Sequence, residues 1–215
     1  EQYWPRTMED TGPASATGQI LALADRLDNV AAFFSVGLIP TGSEDPFALR
    51  RQAAGLVRIL VEGDLRLDLA QALAQATDLV REQGFGSQAL GSAKAGRTET
   101  LQADPLEFVL ERFRYYGQTA QGLRDDVMQA VVKTPGLKEY DLSDLLARIK
   151  SLQALTVKPD FDPLIGGFKR AHRLVEKERW TSDQVNPDLF EHDAERRLYE
   201  ALLRAKQRVP GLLQA

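Results

Sequence analysis

Asp25 and Asp28 stand three residues apart within Ala22-Leu23-Ala24-Asp25-Arg26-Leu27-Asp28. On a helix that spacing turns both carboxylates to one side. Two carboxylates are too few ligands for a metal site. The plain reading is a helix-surface aspartate paired with Arg26 or a neighbour. His172 and His192 are the only histidines and no cysteine accompanies them. They are not four residues apart, and no partnered nucleophile or triad spacing surrounds them. Ser43 in Thr41-Gly42-Ser43 lacks a G-x-S-x-G frame, and the Walker lysine is missing. No catalytic constellation emerges.

Cationic stripes are the stronger lead. Lys169, Arg173 and Lys177 recur every four residues, with Arg170 on the same side, away from an apolar face of Leu164, Phe168, Ala171 and Val175. Residues 169–179 carry a local charge of +3. Arg197, Arg204 and Arg208 form a second stripe, in a window (195–208) that also sums to +3. Arg51 and Arg58 point away from the apolar stripe of an earlier helix, and Arg50 flanks it. Arg148 and Lys150 are a weaker pair. Such cations can hold phosphates in register without reading sequence; the alternative is a solvated face laced with Glu pairs. The aromatics Phe33, Phe34, Phe108, Phe113, Tyr115 and Tyr116 read as core at helical spacing. Tyr115 or Tyr116 could instead stack on an exposed base.

These side chains need a frame. The 215 residues are 43% apolar and 27% charged, with a net charge of −4, the profile of a globular chain. A mildly acidic whole has no global field for a polyanion, so the local stripes must serve. The lack of cysteine excludes disulfides and thiolate metal sites and permits an intracellular home. No apolar run approaches the ~20 residues needed to span a bilayer, so no membrane association is expected. The chain opens at Glu1 without Met, which suggests a piece of a longer polypeptide.

Helical periodicity predicts an all-α fold of seven or eight helices: 17–36, 46–62, 68–83, a helix opened by Asp104-Pro105, a short one near 123–133, then 141–156, 162–179 and 187–209. Asp45 should cap the second helix, with Pro46 at its first position. Gly63 stands where a C-cap glycine would, and Pro210-Gly211 should end the last helix. Segment 86–103, rich in Gly, Ser, Ala and Thr, reads as a linker and the best domain boundary.

Several of these stretches together resemble the beta subunit of bacterial glycyl-tRNA synthetase. They are Tyr3-x-Pro5-Arg6, Ala22 to Asp28, and Gly37 to Arg51 with its core Pro40-Thr41-Gly42-Ser43-Glu44-Asp45-Pro46-Phe47. Asp104 to Tyr116, Leu145 to Lys150, Phe168-Lys169-Arg170, and Leu189-Phe190 followed by Ala194-Glu195 extend the likeness. The phrase Leu23 to Leu27 also resembles the last metal-ligand motif of HD phosphohydrolases, in which a late aspartate completes two His-Asp elements. Only that aspartate, Asp25, is visible. Gln2 stands where the glycyl-tRNA synthetase pattern usually has His, and an amide is a poor substitute for an imidazole ligand.

The resemblance implies that residues 1–85 are the later part of an HD-like helical domain. It makes residues 104–215 an incomplete helical tRNA-body and anticodon-binding region. It implies tRNA(Gly) and an alpha subunit as partners. The alpha subunit would supply the class II centre with its ATP and Mg, leaving this chain without a catalytic centre or cofactor of its own, in the cytoplasm. It strengthens the phosphate reading of Arg50-Arg51 and Lys169-Arg170, and leaves Asp25 as a vestigial metal ligand. The alternatives are a metal-dependent HD-type phosphohydrolase resting on Asp25, and a helical module that only holds its partner subunit.

Overall fold

A computed structural model describes residues 3–5, 10–84, 104–179 and 184–213, with the backbone alone for Pro210, Leu212 and Leu213. Among them are eight α-helices and no strand, in keeping with the all-α expectation. The helices are α1 (Ala16–Ser35), α2 (Leu49–Glu62), α3 (Leu69–Glu82), α4 (Pro105–Gln121), α5 (Asp125–Val132), α6 (Leu142–Thr156), α7 (Phe161–Glu178) and α8 (Asp193–Leu213). The chain divides into two compact units, Glu1–Phe161 and Asp162–Ala215.

In the first unit α1 packs on α2 and α3, α2 also packs on α4 and α6, and α5 lies against α6. Segment 86–103 lies outside the described residues, but the helices on its two sides share one core. Its centre is Phe113, Leu56, Leu60, Leu145, Ile149 and Met128, all essentially inaccessible. Helices α3, α4 and α6 begin as their sequences direct. The side chains of Asp68, Asp104 and Asp141 accept from the first free N–H groups. The starts of α3 and α6 are further tied together: Leu69 donates to the Tyr140 carbonyl, and Tyr140 N–H donates to the Asp68 carboxylate, both at 3.2 Å.

Three helix ends differ from expectation. Helix α2 starts at Leu49, not at Pro46, because Ala48 adopts a left-handed φ of 54° that turns the chain once more. Asp45 nevertheless caps it from a distance, accepting from Leu49 and Arg50 N–H at 2.8 and 3.0 Å. The last helix begins at Asp193, because Asn186-Pro187 opens a separate 3-10 turn, Pro187–Leu189. It then runs through Pro210 to Leu213. Proline's φ is already helical, and its missing N–H costs a single bond there.

Gly55 marks a close approach between α1 and α2. A Cβ there would sit 2.7 Å from Nε of Arg26, a buried side chain that donates to the carbonyls of Ala22 (2.9 Å) and Pro5 (3.3 Å). Gly55→Val must push that guanidinium off its acceptors. Overpacking of this kind costs about 1–3 kcal/mol, and a lowered urea midpoint with unchanged m-value would register it.

The second unit holds α7 and α8. No residue of α7 is buried; Phe168, 65% exposed, stacks on His172 with ring centres 5.8 Å apart. Ahead of α8, Phe190 meets Tyr199 edge-on at 5.6 Å. The Glu195 carboxylate accepts from the N–H groups of Glu191 and His192, and those bonds hold it below the usual carboxylate range.

Candidate nucleic-acid interface

On α7 the periodicity that sends Leu164, Phe168 and Val175 to one side sends Lys169, Arg173 and Lys177 to another, with Arg170 beside them. All four cations are exposed, and among the described residues none forms an ion pair. The nearby acid Glu176 leans on His172 instead, at 3.5 Å. On α8, Arg197 and Arg208 are likewise exposed, while Arg204 lies 3.8 Å from Glu200, a loose solvent-screened pair. Their exposure leaves these guanidinium and ammonium groups free to turn toward a polyanion.

The arginines of α2 divide three ways. Arg51 is exposed, and among the described residues it forms no ion pair. Arg50 is partly covered: its two terminal nitrogens donate to the carbonyls of Gly42 (2.8 Å) and Glu44 (3.4 Å), which braces the Gly42–Glu44 turn against the helix. Arg58 requires a correction. Expected on an open face, it is 8% exposed. Its Nε and Nη2 engage the Glu62 carboxylate at 2.8 and 3.2 Å, and Nη2 also donates to the Asp10 carbonyl at 2.8 Å. The cause is the carbonyl of Asp10, which meets Arg58 on the side of α2 opposite the apolar stripe, while Arg51 on the same side stays exposed. Glu62 in turn accepts from the Tyr116 hydroxyl at 3.4 Å. Burial, followed by the field of Glu62, pushes that phenol above its ordinary range, so it stays a donor.

Asp25 is half-buried on α1. Among the described residues no three His, Cys, Asp or Glu side chains come together as a metal-ligand group, so the donor set for an HD-type ion is not assembled there. Its carboxylate acts on Arg26, favouring the charge that desolvation of the buried guanidinium opposes. His172 and His192 are exposed on the surface of the second unit.

Tyr115 differs from the other aromatics. Phe113 and Tyr116 are buried, Phe34 and Phe108 pack together at 5.2 Å, and Phe33 stacks on Phe47 at 4.5 Å. Tyr115 is 59% exposed. The signal was available: Leu106, Val109, Leu110, Phe113 and Tyr116 already fill the apolar stripe of α4, and Tyr115 falls nearly opposite it.

No helix among the described residues is long and apolar enough to cross a membrane. The family profile described as "Glycyl-tRNA synthetase beta subunit" matches residues 1–133. The chain is 36% identical over 213 residues, 99% of its length, to the glycine–tRNA ligase beta subunit of Halalkalibacterium halodurans. It is 34% identical over 215 residues to that of Moorella thermoacetica, and 33% identical over 209 residues to that of Ralstonia nicotianae. It spans 29%, 29% and 28% of those curated relatives. The likeness runs through the capped turn into α2 and the helices around it, and on this ground the chain belongs to the glycyl-tRNA synthetase beta subunit family.

Proposed function

We propose that this chain is a tRNA-binding part of a glycine–tRNA ligase beta subunit, which positions tRNA(Gly) for aminoacylation by a separate alpha subunit. The alpha subunit would hold ATP and magnesium, and the complex would work in the cytoplasm. The observation that carries the reading is the α7 stripe. Lys169, Arg170, Arg173 and Lys177 are exposed, on one side of one helix, without carboxylate partners among the described residues. Unpaired cations at one-turn spacing suit a phosphate backbone, where each contact releases counterions. Arg51, Arg197 and Arg208 add similar groups, with Arg204 more weakly. Arg50 supports the reading through the turn it braces, rather than as a free cation. Asp25, with its incomplete ligand set, lends no comparable support to a phosphohydrolase.

The test is the double reversal Lys169→Glu with Arg170→Glu in the complete two-subunit enzyme. Affinity for tRNA(Gly) should fall roughly tenfold or more near 0.1 M salt. The slope of log K against log salt should become shallower by about 1–2. Glycine activation measured without tRNA should be unchanged. Wild-type affinity and slope in the double variant would overturn the reading.

A further inference from the structure

Tyr115 lies in a shallow hollow of about 320 Å³ that is also lined by Arg114, Gln118, Asp125 and Gln129. We infer that this hollow takes one unstacked nucleobase of the bound RNA, with the Tyr115 ring as its stacking platform. The inference rests on the tRNA reading above and deepens it: the α7 stripe would hold backbone, whereas this site would hold a base.

The fold makes little use of the Tyr115 ring. Its helix is anchored by Phe113 and Tyr116 on the opposite side, and the ring is more than half exposed. An aromatic face open to water offers base stacking to any nucleotide. The rim is chemically ordered. Gln118 Nε2 donates to one oxygen of Asp125 at 2.8 Å, and Gln129 Nε2 donates to the other. Both amides are thereby oriented with their nitrogens toward the carboxylate, which leaves each Oε1 to accept and one N–H on each to donate. The polar edge is therefore acceptor-rich. It suits a base with an exocyclic amine (adenine, cytosine or guanine) better than uracil.

Charge agrees with this division of labour. Glu111 is tied to Arg112 at 2.8 Å, and Arg112 lies over the Phe108 ring at 5.6 Å. Each Asp125 oxygen accepts one glutamine N–H and keeps a further lone pair to accept. Arg114 has no ion pair among the described residues and can meet the phosphate of the flanking nucleotide.

The experiment compares Tyr115→Ala and Tyr115→Phe in the complete enzyme with tRNA(Gly). The alanine variant should bind roughly 5- to 30-fold more weakly, with an unchanged salt slope, because a stacked base releases no counterion. The phenylalanine variant should bind like wild type, because it keeps the π-face. Ultraviolet crosslinking with mass spectrometry should place a nucleotide on the peptide containing Tyr115. Wild-type affinity in Tyr115→Ala, with Lys169→Glu/Arg170→Glu still impaired, overturns the base site and leaves the tRNA reading standing. Wild-type affinity in both variants overturns both. Loss of alpha-subunit assembly in Tyr115→Ala, with no crosslink at its peptide, makes the hollow a protein contact and also overturns the proposal.

Discussion

Phe113→Ala should remove about 3–5 kcal/mol from the stability of the first unit, the range for deleting a large buried aromatic side chain. Phe113 is completely inaccessible and lies in the core that joins α2, α4, α5 and α6. Its loss leaves a cavity that neighbouring leucines and Met128 can only partly fill. Domain stability is typically about 5–15 kcal/mol, so much of the margin would go. Urea titration should show a lower midpoint at unchanged slope. Tyr115→Ala, two residues along the same helix, should stay within about 0.5 kcal/mol of wild type. Equal losses at both positions would contradict the inside–outside assignment of α4.

Arg58→Ala should cost about 2–3 kcal/mol, a smaller loss than for a fully buried ion pair because Glu62 remains 37% exposed. The substitution strips the Glu62 carboxylate of both guanidinium bonds and leaves the Asp10 carbonyl without that donor. It should not change the salt slope of tRNA binding, because the cation is turned inward. Arg51→Ala, seven positions earlier on the same helix, should behave oppositely: stability within about 0.5 kcal/mol and a shallower salt slope. A changed slope with unchanged stability for Arg58→Ala would return Arg58 to the phosphate contacts.

The start of α4 was legible because capping is local: Asp104 accepts an N–H two residues ahead. Asp68 and Asp141 cap α3 and α6 in the same local way, though periodicity alone does not single them out. The cationic stripe of α7 was legible for the same reason: four-residue spacing on a single helix needs no neighbour to define it. Where the start of α2 shifted, the local chemistry still held, since Asp45 accepts from the first N–H groups of the shifted helix, those of Leu49 and Arg50.

What the residue order settled by itself is the helical character of the chain, the family motif around Gly42 to Arg51, and the angular position of each side chain about its own helix. What surrounds a helix is a different matter. Arg58 and Arg51 share a helix side, yet Arg58 finds a carbonyl 48 residues away and becomes interior. Tyr116 finds Glu62 at a separation of 54, while its neighbour Tyr115 meets water. The chain divides into compact units at Phe161, and α4, α5 and α6 share one core with α2. Periodicity gives a direction around an axis. Only packing decides whether solvent, a carboxylate or another helix lies in that direction, and that choice separates a buried anchor from a cation open to solvent.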